Sequence, residues 1–248
     1  MISFSVEQIF IFTLSYFIRL LIWNWKLGAD VVIHSGTKYL GGHSDVLLGA
    51  VTCSSKTKQG INLSTKLRTI QSAIGAVSSP MDAWLTLRGL RTLHIRLERQ
   101  CGSAMTLAVF LQDLQCKSPY KNIQITNVHY PGLKSHPQHI LAQHQMKSSF
   151  FGGMLSIEVG GPPSSSLNDT DRAMAFAGAL KLIKRATSLG GTESLIEHRA
   201  SIEPETRVVS PQGLLRVSVG LENVLDLQHD IEHAFGIADK VLSQMESK

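Results

Sequence analysis

One stretch, from Leu27 to Gly49, constrains the fold of this chain more than any other. It reads LGADVVIHSGTKYLGGHSDVLLG: an apolar run, a turn rich in glycine and hydroxyl residues, and a second apolar run. The pattern predicts two strands, DVVIH and VLLGAVTC, joined by the loop SGTKYLGGHSD. Lys38 then lies just beyond a strand end, with Ser35 and Thr37 before it and Gly41–Gly42 after it. A lysine in this setting is a candidate Schiff-base residue.

Ser35 and Thr37 are two residues apart, so in an extended loop their hydroxyls point to the same side. Both hydroxyls can then donate to one phosphate, and the neighbouring amine of Lys38 can reach an aldehyde held nearby. The alternative is a Ser/Thr turn beside a solvated lysine. The spacing alone leaves both interpretations open.

Charge and cysteine content narrow the class of protein. The net charge of +5 is modest and no block of five or six like charges occurs, so nucleic acid is not an expected partner. An anionic cofactor or substrate is equally compatible with this net charge. The three cysteines form no CxxC pair, which favours reduced thiols and a cytoplasmic location. A chain of 248 residues is long enough for two lobes.

The first 26 residues differ from the rest. Large apolar residues fill the segment from Ile9 to Trp25, with Arg19 inside it. A charge in mid-span argues against a membrane helix, and the early positive charge and small residues of a signal peptide are missing. A buried helix, membrane insertion and a segment with no evolved fold all stay open.

Beyond the lysine loop, the pattern predicts a long helix and then a second lobe. Ser79 and Pro80 mark the start of a helix, whose apolar stripe runs from Trp84 to Leu114 with an interruption near Gly89. Strands and helices then alternate, which predicts helices covering a small, antiparallel sheet. The strand-like runs are Ile123–His129, Met154–Val159 and Leu214–Leu221, and the helical ones are Asp169–Arg185 and Val224–Val241.

Two further motifs concern anions. Strand alternation in LLRVSVGL places Arg216 on the face opposite Leu215 and Val217, where an arginine needs an anion. A substrate carboxylate and a structural Asp or Glu are both candidates. Ser188, ahead of Gly190–Gly191, indicates a turn before a helix whose N–H groups can bind an anion, or a plain strand-to-helix turn.

Two sets of cationic side chains read as solvated faces. The run HPQHILAQH has no matching carboxylate or cysteine, so we expect no metal site there. The arginines of the long helix form a solvated or subunit-facing stripe; they are Arg88, Arg91, Arg96 and Arg99.

Together these segments resemble the Cys/Met-metabolism family of pyridoxal-phosphate enzymes: cystathionine γ-synthase, cystathionine γ- and β-lyases, and methionine γ-lyase. Residues Asp30–Ser44 resemble the family's cofactor-lysine signature along its whole length. The resemblance covers about residue 27 to the C-terminus. It continues in order through SSPMDAWLTLRGLRTLHIRLERQ, VHYPGLKSHPQH, FGGMLSIEV, SLGGTESLIEH and LLRVSVGLE.

The resemblance implies an α/β fold: the C-terminal part of a fold-type-I pyridoxal-phosphate transferase-like large domain, with an incomplete sheet, plus a smaller α/β domain. Residues 1–26 would be an apolar segment foreign to the family. Residues 27–115 would be the remnant of the cofactor-binding domain with its long linking helix, and residues 116–248 the C-terminal domain.

The resemblance also implies roles. Lys38 would bind pyridoxal 5′-phosphate covalently and shuttle protons, and Ser35 and Thr37 would bind its phosphate. Arg216, assisted by Ser188, would hold the substrate α-carboxylate. The reaction would be a transsulfuration, with elimination or replacement at Cβ or Cγ of cystathionine, cysteine or O-acyl-homoserine. A homo-oligomer is implied, since the family forms tetramers.

The family carries a long region ahead of Leu27, which includes the aspartate that pairs with the pyridine nitrogen. The only acid in Met1–Lys26 is Glu7. We therefore expect the sheet that carries Lys38 to have an unpaired edge. The alternative function is a truncated, catalytically inactive fragment that at most associates with full-length subunits.

Overall fold

The structure is a computed structural model that describes residues 11–14, 28–146 and 150–247. It divides into unit 1, Met1–His94 with Gln145–Lys147, and unit 2, Ile95–His144 with Ser148–Lys248. The division falls inside a long helix, whereas the sequence placed a boundary at residues 115 and 116. The reason is that the second half of this helix buries its apolar stripe within unit 2; the stripe comprises Leu97, Cys101, Ala104, Ala108 and Leu111.

Unit 1 contains a three-stranded sheet in the order β1 (Ile11–Leu14), β2 (Val31–Ser35), β3 (Gly49–Cys53). Both strands predicted around the lysine loop are present, the second beginning at Gly49 rather than at Val46, and β2 pairs with β3 in antiparallel orientation. It also pairs in parallel with β1, with Ile11 opposite Val31. Within the described residues β2 is the central strand, so the expected unpaired edge of this sheet lies on β1 and β3 rather than on β2.

Two helices follow in the chain: α1 (Lys58–Ile74) and α2 (Pro80–Lys117). Helix α1 was not predicted, although Leu63, Leu67, Ile70 and Ile74 recur at three- and four-residue steps; most of its side chains are exposed. Local signals define its ends: Thr57 accepts a hydrogen bond from the Gly60 N–H at 3.1 Å, and Gly75 ends it with φ of 69°.

Helix α2 begins at Pro80, as predicted. The Ser79 hydroxyl caps it by accepting from the Asp82 N–H at 3.1 Å. The helix continues through Gly89, where the sequence indicated an interruption. Gly89 is required by close packing instead, because a Cβ atom there would lie 2.2 Å from the carbonyl oxygen of Gly41.

Unit 2 is built on a five-stranded sheet in the order β4-β5-β8-β7-β6. All neighbouring strands are antiparallel except β6 and β7, so the expected small antiparallel sheet is confirmed in its main part. The strands are β4 (Gln124–His129), β5 (Met154–Gly160), β6 (Lys184–Arg185), β7 (Leu195–His198) and β8 (Leu214–Ser218). The helices that follow α2 are α3 (His139–Gln145), α4 (Asp169–Ala179) and α5 (Val224–Glu246).

Aromatic packing joins the helices of unit 2. Phe235 of α5 lies 4.3 Å from Phe176 of α4 and stacks on Tyr120 at 5.6 Å, measured between ring centroids. Leu215 and Val217 of β8 are buried, as strand alternation predicts. Burial of one such side chain stabilises the fold by about 1.5–3 kcal/mol, so these contacts fix the position of β8.

Helix α4 ends at Ala179 rather than at Arg185 as predicted. The buried carboxylate of Asp230 on α5 accepts hydrogen bonds from the N–H groups of residues 181, 182 and 183 at 2.9–3.1 Å. These bonds hold the chain in a non-helical turn before β6.

The α/β class is confirmed by both sheets and their helices. Among the described residues, no helix has the length and apolar character needed to cross a membrane. Most of the apolar segment Ile9–Trp25, for which membrane insertion was an open alternative, lies outside the described residues.

Candidate functional site

Lys38 lies in a wide turn, Gly36–Leu40, directly after β2. Two hydrogen bonds close the turn: Gly41 N–H to the Gly36 oxygen at 2.8 Å, and Gly42 N–H to the Lys38 oxygen at 2.7 Å. The backbone of Lys38 itself is not helical, with φ of −82° and ψ of −126°. The half-buried lysine is thus presented by a fixed turn at a strand end, as the sequence predicts.

The hydroxyl of Thr37 is oriented by its neighbour across the turn. Its oxygen accepts a hydrogen bond from the Leu48 N–H at 3.2 Å, while Gly36 N–H donates to the Leu48 oxygen at 2.6 Å. With its oxygen so used, the hydroxyl keeps its proton for a further acceptor. Together with Ser35 at the end of β2, the turn has the donors that a phosphate beside an amine-bound aldehyde requires.

The loop that follows Lys38 is fastened to the first half of α2. The carboxylate of Asp45 pairs with Arg88 at 2.7 Å, and Gly41 lies against Gly89. Arg88 is therefore not merely part of a solvated stripe. The pair is half-exposed, so its energetic contribution is small, about 0–1 kcal/mol; the close glycine contact contributes more to the position of the loop.

Arg216 on β8 and Ser188 come together in unit 2. Nη2 of Arg216 donates to the backbone oxygen of Ser188 at 2.9 Å and also bonds the Glu197 carboxylate. Glu197 stands directly opposite Arg216 in the antiparallel pair β7–β8. Its other oxygen accepts from Arg199 at 2.6 Å. Arg216 thus has the structural Glu that the sequence left open as one alternative.

The loop that contains Ser188 is held on several sides. Ser188 adopts a φ of 107°, which is rare for a residue with a side chain. The Gly190 N–H donates to the Ser218 hydroxyl at 2.9 Å, and the buried amide of Gln100 donates to the Gly191 oxygen at 2.6 Å. A strand follows this loop, β7, and not the helix start that the sequence indicated.

The predicted residues form two groups. In unit 1, Lys38 and Thr37 share a turn that directly follows Ser35, the last residue of β2; in unit 2, Ser188 contacts Arg216. Sequence reasoning missed Glu197 and Gln100. Glu197 lies between Ile196 and His198 in LIEH, and its pairing with Arg216 requires the register of β7 and β8, which no local signal gives.

The histidines of HPQHILAQH and the buried Arg96 of α2 belong to neither group. No group of three or more His, Cys, Asp or Glu with metal-site geometry occurs in the described part of the chain. Burial, and then the charges of His129 and His139, lower the pKa of His136. Arg96 is buried rather than solvated, and burial lowers its pKa.

Comparison with known proteins now adds to this geometry. Residues 16–236 match the sequence profile of the family described as "Cys/Met metabolism PLP-dependent enzyme". The sequence motifs placed the start of the resemblance at Leu27. The profile match begins eleven residues before that position.

Two relatives and one solved structure illustrate the similarity. A cystathionine beta-lyase of Coxiella burnetii is 43% identical over 220 residues, which cover 84% of this chain and 50% of the relative. A cystathionine gamma-synthase of Mycobacterium tuberculosis is 39% identical over 215 residues, covering 85% and 50%. The crystal structure of cystathionine gamma-lyase from yeast matches with a TM-score of 0.81 and 35% identity, covering 94% of this chain and 56% of that one. The chain spans about half the length of these proteins.

Proposed function

Because the chain belongs to the Cys/Met metabolism PLP-dependent enzyme family, we propose that it binds pyridoxal 5′-phosphate through Lys38. We further propose that it acts in elimination or replacement at the β or γ carbon of a small sulfur amino acid. The observation that carries the proposal is the turn after β2, which holds an amine and two hydroxyls within four residues.

Each residue has a defined task in this proposal. The hydroxyls of Ser35 and Thr37 donate to the phosphate, and the Thr37 hydroxyl is suited to this because its oxygen already accepts from Leu48. The Lys38 amine binds the cofactor aldehyde and, once released from it, carries the proton of the substrate α carbon. Arg216 holds the substrate carboxylate, assisted by Ser188. Bound pyridoxal phosphate supplies the electron sink for this chemistry.

Cystathionine, cysteine and O-acyl-homoserine are the substrates we propose. The relatives include both lyases and a synthase at similar identity, so the similarity supports the class of substrate rather than one reaction. Assays with cystathionine, and with O-acyl-homoserine in the presence and absence of cysteine, separate lyase from synthase activity.

The cofactor proposal is tested by spectroscopy on the purified chain. Pyridoxal phosphate added to the wild type should give an absorption band of a lysine-bound cofactor, and borohydride reduction should fix it on the peptide that contains Lys38. Lys38→Ala should lose the band. Lys56→Ala changes an exposed lysine outside the turn and should keep it. A band that survives in Lys38→Ala contradicts the assignment.

A second candidate is a chain that binds the cofactor without turnover. The candidate depends on whether unit 1 has an acid that can pair with the pyridine nitrogen of the cofactor. Among the described residues of unit 1 the acids are Asp30, Asp45 and Asp82. Asp45 pairs with Arg88, and Asp82 accepts from Ser79 in the first turn of α2. Asp30 lies five residues before Ser35 along an extended strand, a separation of about 16 Å. A cofactor band without product in either assay would favour this candidate.

We also propose that the chain forms a homo-oligomer. Apolar side chains are exposed from the end of α1 to the start of α2: Ile74 is 71% exposed, Met81 61% and Trp84 60%. An exposed apolar patch of this kind marks interaction sites in soluble proteins. Sedimentation equilibrium should give a mass above that of one chain, and a strictly monomeric chain contradicts the proposal.

A further inference from the structure

The carboxylate of Glu197 is shared between two arginines. Its side chain is only 4% exposed. One oxygen bonds Nη2 of Arg216 and the other accepts from Nη1 of Arg199 at 2.6 Å. Arg199 in turn lies 3.8 Å from Glu203. Both oxygens of Glu197 are therefore engaged, and the carboxylate cannot follow one arginine without losing the other.

The backbone fixes the same pair. Glu197 and Arg216 are direct partners in the antiparallel register of β7 and β8, so their side chains leave the same face of the sheet. The Ser188 oxygen binds the same Nη2 atom of Arg216 at 2.9 Å. Nη2 thus bonds both a carboxylate placed by the strand register and the backbone oxygen of Ser188.

The rest of the guanidinium is left for a ligand. A guanidinium carries five N–H donors, two of them on Nη2. Within the described part of the chain, the three donors on Nε and Nη1 make no hydrogen bond. The Arg216 side chain is 16% exposed, so part of it reaches the surface of unit 2.

We infer that Glu197 is a positioning residue: it holds Arg216 by one nitrogen so that the other donors face the α-carboxylate of the substrate. The inference rests on the proposed function, which makes Arg216 the carboxylate-binding group. The alternative is that Glu197 competes with the substrate. A competing carboxylate would occupy Arg216 and would have to leave before the substrate binds.

If Glu197 positions Arg216, its removal should weaken the preference for a ligand with a carboxylate; if Glu197 competes for Arg216, its removal should strengthen that preference. Calorimetry on the full chain can measure the difference. L-Methionine and L-methioninamide serve as probes, since they differ only in the carboxylate. The wild type should prefer methionine, and Glu197→Ala should reduce that preference about tenfold or more. Its affinity for methioninamide should change little, because general damage to the fold would weaken both probes alike.

Further variants keep the inference falsifiable. Glu197→Gln keeps the volume and one good acceptor, so it should fold where Glu197→Ala does not and should show an intermediate loss. Glu193→Gln is the matched control, since Glu193 lies in the same motif but is exposed and pairs with Lys184. It should keep the wild-type preference. Circular dichroism confirms that each variant is folded.

The outcomes separate this inference from the proposed function. If Arg216→Ala abolishes the preference but the folded Glu197 variants keep it, the positioning role is wrong and the proposed function stands. A stronger preference in Glu197→Gln also overturns the positioning role and favours a competitor. If Arg216→Ala keeps the preference, or the wild type has none, the carboxylate role of Arg216 fails and the inference with it.

Discussion

At Thr37, one hydroxyl serves both the fold and the proposed phosphate site. Thr37→Val keeps the shape of the side chain but leaves the Leu48 N–H without its acceptor. We expect a loss of about 1–2 kcal/mol in the free energy of unfolding and a weaker affinity for pyridoxal phosphate. Urea unfolding and a spectroscopic titration measure the two effects. Thr37→Ser retains the hydroxyl and should restore most of both; an unchanged affinity in Thr37→Val would remove this residue from the phosphate site.

Glu203 gives a pH-dependent contribution to stability. The hydroxyl of Ser210 donates to its carboxylate at 2.6 Å, and the N–H groups of Ser210 and Val209 donate at 3.1 and 2.8 Å. These bonds lower the pKa of Glu203 from 4.5 to about 2. A lowered pKa stabilises the folded chain above pH 4.5, and this contribution is lost as the pH falls toward about 2.

Ser210→Ala tests this coupling because it removes the strongest donor and leaves the backbone bonds. The pKa of Glu203 should rise toward its usual value. The variant should be less stable than the wild type at neutral pH, and the difference should shrink on acidification through this range. Urea unfolding at several pH values measures it, and a difference that stays constant with pH would argue against the coupling.

Helix α2 has two interior glycines, Gly89 and Gly102, and replacing each with alanine compares helix propensity with steric fit. Glycine costs a helix about 1 kcal/mol relative to alanine, so Gly102→Ala, where no atom lies within 4 Å of the added Cβ, should stabilise the chain by up to that amount. Gly89→Ala gains the same propensity but brings Cβ within 2.2 Å of the Gly41 oxygen and 2.6 Å of the Leu40 oxygen. Both oxygens are backbone atoms that cannot easily move, so the steric cost exceeds the gain in helix propensity.

We therefore expect Gly89→Ala to lower the free energy of unfolding by about 1–3 kcal/mol and to disturb the Lys38 turn. Denaturant titration of the two variants gives the sign of each effect, and the cofactor band reports on the turn. Equal and stabilising effects from both substitutions would show that α2 does not press on the turn at Gly89.

The elements were predictable where local signals sufficed. The strand pattern around Lys38, the cap at Ser79 and the alternation of Leu215 and Val217 are each readable within a few residues, and the structure confirms them. The end of α4 was not, because Asp230, some fifty positions away in the chain, holds the turn that follows it. Helix α1 was missed although Leu63, Leu67, Ile70 and Ile74 have helical spacing; in the structure its faces are largely exposed.

For the candidate site, the residues proposed to bind a ligand were chosen by residue type, and the residues that hold them in place were not predicted. Lys38 and Thr37 stand out in a turn rich in glycine and hydroxyl residues, and Arg216 stands out as a charge among apolar neighbours. Glu197 and Gln100 act through strand register and helix packing, which depend on distant parts of the chain. The parallel partner of β2 came from the apolar segment ahead of Leu27, in which no strand was predicted although Ile, Phe and Thr favour strands.

The three thiols report on the packing of the whole molecule. Burial raises the pKa of Cys101 to about 12, whereas Cys116 is exposed and Cys53 is half-buried. At neutral pH a thiol reagent should label Cys116 quickly, Cys53 more slowly and Cys101 only after unfolding; mass spectrometry identifies each site.

Because the pKa of Cys101 in the folded chain exceeds the usual 9.0, the contribution of Cys101 to stability is lost as the pH rises from 9 toward 12. Rapid native labelling of Cys101 would contradict the buried stripe.

Helix α2 has a consequence for how this chain can change over evolutionary time. Domains are usually exchanged at linkers, where few contacts cross and an insertion costs little. Here the division between the units falls between His94 and Ile95, within an unbroken helix of 38 residues. A recombination event at that point would have to preserve helical phase as well as reading frame. We therefore expect exchange of one unit without the other to be disfavoured at this point in the chain.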